Sequence, residues 1–263
     1  MNAQSNSQTK KYSALLRRFT RKANYRLLPG ACLLCGLNPS DHIDLCSSCI
    51  NNLPRLGIHC PLCANPLNAA HICGRCLQKP PTFTQVRAPF LYQPPIDQLL
   101  HRFKFSGQLA AGKVLSQLLI THISRLVENG QCTLPDAIVP IPLHWKKRFS
   151  RGFNQSKEIA QAVSQYFKIP CHQHALTRIT HTQSQRQLPY AKRQSNLKQA
   201  FALHKGKRLF SPTAGESLSG KRIVLIDDVL TTAATVNAAS NTLLAGGVHS
   251  VEVWVLARTP LEN

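Results

Sequence analysis

The sequence predicts an α/β domain, a mostly parallel central sheet with flanking helices, preceded by a small cysteine-rich module. Three observations predict it. An apolar run that ends in an acid pair, Val224-Leu225-Ile226-Asp227-Asp228, leads through small and hydroxyl residues into an Ala-rich stretch at Thr235–Leu244. Gly246-Gly247 stops that stretch, and Ser250–Ala257 then alternates as a following strand does. Strand, loop, helix and strand in this order form the unit from which parallel sheets are assembled. The third observation lies at the other end, where four Cys-x-x-Cys pairs follow one another at near-even spacing. With 263 residues there is room for one full domain and a smaller module. The expected division is a basic, disordered tail over residues 1–27, the cysteine module over 28–80 and the α/β domain over 81–263.

The tail carries seven Lys or Arg within its first 26 residues and no acid. It lacks the apolar centre and small-residue cleavage site of a secretory signal, and no apolar run is long enough to span a membrane, so the expected location is the cytoplasm. A short basic amphipathic helix around Leu15, Leu16 and Phe19 is the alternative for this segment, which would place the protein peripherally on the inner membrane.

Cys32/Cys35, Cys46/Cys49, Cys60/Cys63 and Cys73/Cys76 use eight of the ten cysteines, with gaps of ten, ten and nine residues. In a cytosolic chain this is metal-site spacing, not a disulfide framework. Two thiolates held by one tight turn bite an ion, and two such turns complete a tetrahedral Zn²⁺ site with no open catalytic position. The spacing therefore predicts two structural zinc ions. It leaves open whether the first pair joins the second or the pairs interleave. Cys132 and Cys171 stand alone and are expected to pack in the interior.

Further along, Pro140 and Pro142 fix a rigid strand end, because each locks φ and restricts its predecessor. The residues that follow, His144, Lys146, Lys147 and Arg148, would then face an anion. Arg151-Gly152 permits a close backbone approach, and the Arg151 fork suits phosphate. Asn154 is placed to cap a helix carrying Ile159, Ala162, Val163 and Phe167. From His174 to Ser195 the chain is polar and basic, with Arg178, Arg186, Lys192 and Arg193 available as a cover over a reacting centre or as a grip on a nucleic-acid backbone.

The acid pair gives the α/β unit its chemistry. Thr231, Thr232, Ala233, Ala234 and Thr235 sit where a strand turns into a helix, and free N–H groups at a helix N-terminus favour an anion. Asp227 and Asp228 cannot bind phosphate but accept hydrogen bonds from sugar hydroxyls. A ribose with a 5′-phosphate fits both halves. The string resembles the loop by which type I phosphoribosyltransferases hold phosphoribosyl pyrophosphate (PRPP).

With both ends considered, the chain resembles the ComF family of competence-associated proteins from about Pro29 to Arg258. Val139-Pro140-Ile141-Pro142-Leu143-His144, Arg151-Gly152-Phe153-Asn154-Gln155, the Gln185, Arg193, Asn196 and Ala200-Phe201 segment, and Lys104 within His101–Gly107 carry the resemblance. It implies a double zinc ribbon joined to a type I phosphoribosyltransferase fold. It also implies Asp227, Asp228, Arg151 and His144 as catalytic residues, PRPP as ligand with Mg²⁺, and Lys104 and Lys146 among its binding residues. One position departs from the family, whose phosphate loop reads Thr-Thr-Gly-Ala-Thr: Ala233 stands in place of the Gly. Thr231 replaces the carboxylate base of relatives acting on 6-oxopurines, which argues against hypoxanthine or guanine salvage.

The net charge of +21 favours a polyanionic partner, and between Ala137 and Gly215 a single acid, Glu158, faces 14 Lys and Arg. Single-stranded DNA is the expected partner, with a competence helicase or the inner-membrane DNA-transport machinery as docking partners and a homodimer by analogy. Two functions stay open: phosphoribosyl transfer to an unknown acceptor during DNA uptake, or a non-catalytic DNA-binding or docking factor whose PRPP site is regulatory or vestigial.

Overall fold

The computed structural model describes residues 30–39, 43–143, 152–179, 200–203 and 217–261. The chain divides at Leu53/Pro54 into two compact units. The smaller holds the first two Cys-x-x-Cys pairs and helix α1 (Ser47–Asn51), whose first turn donates the Cys49 N–H to Cys46 Sγ at 3.4 Å.

In the larger unit, helix α2 (Gly74–Gln78) precedes two short strands, β1 (Val86–Arg87) and β2 (Phe90–Leu91), and then helices α3 (Ile96–Phe105) and α4 (Leu109–Glu128). Strand β3 (Ala137–Pro140) and helix α5 (Gln155–Phe167) follow, then a hairpin of β4 (Leu176–Arg178) with β5 (Phe201–Leu203). Strand β6 (Arg222–Leu230), helix α6 (Ala234–Ala245) and strand β7 (Ser250–Arg258) complete the unit.

The main sheet is parallel throughout, in the order β1-β7-β6-β3, with β2 also pairing to β7. Strand β7 is thus central, and its register with β6 runs from Arg222↔Ser250 to Leu230↔Arg258. Alternation, expected from Ser250 to Ala257, holds only at its start. From Val253 to Arg258 every residue is buried, because both faces of a central parallel strand are covered. Ile223, Val224, Leu225 and Ile226 in β6 are buried for the same reason.

Helix α3 buries Ile96, Leu99, Leu100 and Phe103, one face at helical spacing. It lies close on α4 because Gly112 leaves room for the Phe103 ring, which a Cβ at that position would meet at 2.3 Å. Asn154 caps α5 as expected, accepting the Ser156 N–H at 3.1 Å while its amide donates to Ile141 O. The buried face of α5 runs through Ile159, Ala160 and Val163, with Ala162 half-buried. Cys132 is buried and Cys171 half-buried. Among the described residues no helix is long and apolar enough to cross a membrane.

Candidate functional site

The two thiol clusters answer the question that the spacing left open. Cys32, Cys35, Cys46 and Cys49 form one set and Cys60, Cys63, Cys73 and Cys76 the other, each with its four Sγ atoms within 4.8 Å of one another. The pairs therefore join in sequence order. Cys35 and Cys46 Sγ lie 3.7 Å apart, as do Cys63 and Cys73 Sγ. A tetrahedron with Zn–S bonds of about 2.3 Å has an edge of about 3.8 Å, so both sets fit the ion. The chemistry of the donors agrees. Burial and neighbouring thiols push Cys49 up to about 12, while burial above all pushes Cys63 up to about 11. Four thiolates can coexist there only around a cation. The second set is wholly buried and belongs to the larger unit, where the adjoining Ala64 packs into the core formed by β3, β6, β7 and α6.

At the C-terminal end of the sheet, β6 continues through Asp227 and Asp228 to Leu230, so the acids lie within the strand and not at its end. Asp227 Oδ1 accepts the Ser156 hydroxyl at 2.8 Å and the Asp228 N–H at 2.9 Å. Lys104 Nζ, from α3, sits 2.9 Å from Asp228 Oδ2, with both side chains largely covered. Burial, followed by the Asp228 charge, raises Asp227 to about 7, against the pull of Ser156, the Asp228 N–H and Lys104. Ser156 carries no signal in the sequence beyond its place after the Arg-Gly-Phe-Asn-Gln string.

Thr231 and Thr232 are exposed, Ala233 to Thr235 half-buried, and helix α6 begins at Ala234 with no side-chain cap on its first turn. Ala233 adopts φ +62°, ψ 0°, the left-handed conformation that a glycine would take without strain. A methyl group there costs about 1–2 kcal/mol in the folded state, partly offset because Ala restricts the unfolded chain by about 0.4–1 kcal/mol. Ala233→Gly is therefore expected to leave thermal stability unchanged or up to about 1 kcal/mol higher, while the β-branched Ala233→Val lowers it by more than about 1 kcal/mol. Thermal denaturation of the three proteins side by side checks this, and equal melting points would remove the strain argument.

Arg178 is described and half-buried. Its guanidinium lies 5.6 Å from the Phe201 ring centroid across the β4–β5 hairpin; burial weakens its charged form and the Asp227 charge supports it. Its charge is thus felt at the acid pair. His144, Lys146, Lys147, Arg148, Arg151, Arg186, Lys192 and Arg193 lie outside the described residues, as do Gln185, Arg193 and Asn196 of the family-like segment.

Sequence reasoning passed over Arg258, at the end of β7. It is fully buried, donating from Nε to Cys63 O at 3.0 Å and from Nη1 to Leu230 O at 3.0 Å and to Thr231 O. Nothing in the one-dimensional pattern separates it from the many exposed basics.

Comparison with known proteins agrees with this arrangement. The double zinc ribbon domain profile matches residues 25–77, and the phosphoribosyl transferase domain profile matches residues 154–262. The chain is 36% identical to the DNA utilization protein YhgH of Escherichia coli over 88% of its own length and 98% of that protein. It is 34% identical to Competence protein F of Haemophilus influenzae, over 81% and 90%. The chain belongs to the ComF family. Competence protein ComFC of Bacillus subtilis is a more distant member, 29% identical over 85% of this chain and 87% of that one. The α/β domain is accordingly a phosphoribosyltransferase domain with a parallel central sheet, and the cysteine sets are those of a double zinc ribbon, consistent with two structural zinc ions. As a ComF protein the chain has relatives named for competence and for DNA utilization.

Proposed function

We propose that this ComF protein binds PRPP with Mg²⁺ at the end of β6 and acts in the uptake of transforming single-stranded DNA, transferring the phosphoribosyl group to an acceptor. What supports the reading is the acid pair Asp227-Asp228 followed at once by the uncapped, left-handed turn into α6. The carboxylates would accept the ribose hydroxyls while the N–H groups and hydroxyls of Thr231 to Thr235 receive the 5′-phosphate. Lys104, now paired with Asp228, would be released toward the pyrophosphate as the ribose takes over that carboxylate. Arg151, His144 and Lys146 would meet the leaving group, whose growing negative charge preorganised cations stabilise. Mg²⁺ suits a site with two carboxylates and a ligand rich in phosphate oxygens, where it would neutralise charge on the departing pyrophosphate.

The charge of +21 favours a DNA role beside this one. In that second reading, Lys147, Arg148, Arg178, Arg186, Lys192 and Arg193 hold the DNA backbone, and PRPP only regulates. The protein would work in the cytoplasm or against the inner membrane, beside the transport machinery.

Calorimetric titration of the zinc-loaded protein with PRPP and Mg²⁺, with Asp227→Ala alongside, tests the proposal. Saturable binding that weakens at least tenfold in the variant is the expected result. Absence of heat at millimolar PRPP would defeat the PRPP reading and leave the DNA one, which titration with single-stranded DNA across salt concentrations then examines.

A further inference from the structure

Arg258 joins two sites that lie far apart in sequence. Its guanidinium takes the carbonyl of Cys63, a ligand-bearing residue of the second thiol set, and the carbonyls of Leu230 and Thr231, where β6 passes into the phosphate loop. A second tie runs beside it. Thr82, a few residues beyond Cys76, donates its N–H and its hydroxyl to Asn237 Oδ1, at 2.8 and 2.9 Å, in the first turn of α6. A third is Asn65, two residues after Cys63, which accepts the Leu261 N–H at 3.0 Å.

The charge balance gives these ties a direction. Among the described residues no carboxylate pairs with the buried Arg258, whose Nε and Nη1 donate to carbonyl oxygens. Four thiolates around a divalent ion carry a net charge of about −2. The loaded cluster is therefore the counter-charge that a buried guanidinium requires. The ion also fixes the turn that presents the Cys63 carbonyl, and through that carbonyl the position of the fork that holds Leu230 and Thr231.

We propose that the second cysteine site and the phosphate loop are one thermodynamic unit, with Arg258 as the positioning residue, so that metal in the second site and PRPP bind cooperatively. The proposal rests on the PRPP reading of that loop. The proposal concerns the second site only. Coupling of this kind is reciprocal: if the metal tightens PRPP, PRPP must tighten the metal by the same factor.

That reciprocity supplies the test. Cys35→Ser protein, in which only the second site is complete, is challenged with a zinc-selective chromogenic chelator, with and without saturating PRPP and Mg²⁺; inorganic pyrophosphate with Mg²⁺ serves as control. PRPP is expected to reduce zinc transfer at equilibrium by at least about fivefold, beyond the pyrophosphate control. With Arg258→Lys added to Cys35→Ser, which keeps the charge but not the fork, zinc content stays at one per chain while the PRPP effect disappears. A side chain that merely filled space would lower the melting point and leave the PRPP effect on zinc intact. Binding of PRPP by calorimetry with no change in zinc transfer would overturn the coupling and leave the PRPP site standing. Absence of PRPP binding would overturn both. Should Arg258→Lys not fold, the Cys35→Ser comparison alone decides.

Discussion

Cys63→Ser is expected to lower the melting temperature of the larger unit by roughly 10 °C or more, whereas Cys35→Ser leaves that transition within about 2 °C of the parent. Both variants lose one zinc per chain by metal analysis. The difference arises from where each cluster lies. Cys63 belongs to a wholly buried set whose neighbour Ala64 sits in the same core as Leu230, Val236 and Leu243. Structural zinc contributes folding free energy directly, on the order of 10 kcal/mol for isolated zinc modules. Even a third of that, spread over a unit of this size, shifts the melting point by about 2–4 °C per kcal/mol. The first set includes an exposed Cys35 and belongs to the other unit. Differential scanning calorimetry of the two variants checks the prediction. Equal losses would mean that the clusters support the fold alike.

Asp227→Asn is expected to stabilise the ligand-free protein above pH 7 by about 1–3 kcal/mol and, on the PRPP binding proposed above, to weaken that binding at least tenfold. The Asn side-chain oxygen can keep both hydrogen bonds that Oδ1 accepts, from Ser156 and from the Asp228 N–H. What it removes is a carboxylate that burial and Asp228 hold up at about 7. A carboxyl raised on folding binds its proton more tightly in the folded chain. Its contribution therefore falls as pH rises from about 4, where the unfolded residue ionises, to about 7. The advantage of Asn should grow across that window and vanish below it. Urea denaturation of both proteins at pH 4, 6 and 8 measures it, and a constant difference would assign the effect to something other than the carboxylate charge. A site that is less stable empty than when neutralised is poised for a ligand that brings hydroxyls and cations to the acid pair.

Much of this arrangement is legible in the one-dimensional pattern. The run from Val224 to Thr235 shows strand, acids and helix start because each uses a local rule: apolar continuity, small residues, free N–H groups. The eight cysteines announce their role by spacing. Their partition does not appear there, because three near-even gaps fit sequential and interleaved closure equally. The strand runs two residues past the expected end, because Asp227 and Asp228 look like a terminus, yet β7 continues to pair alongside them. Lys104 on Asp228, Ser156 on Asp227 and Arg258 on Cys63 are contacts across 71 to 195 positions, or 124 for Lys104. Side chains of ordinary composition acquire those roles only when the sheet brings them together. The left-handed turn at Ala233 lies between these cases: the family comparison marked the position, and only the backbone gave the sign of φ.

The place where the chain divides has a practical side. A shortened protein meant to keep only the phosphoribosyltransferase domain would naturally be cut near residue 80, a few residues past Cys76. That cut discards Ala64 from the sheet-side core, the carbonyl that holds Arg258, and the Pro54 and Leu56 contacts made with Leu91 and Pro89. A shortened protein beginning at Pro54 keeps all of them. What reads as two zinc knuckles followed by a phosphoribosyltransferase domain divides, for handling at the bench, after the first knuckle and not after the second.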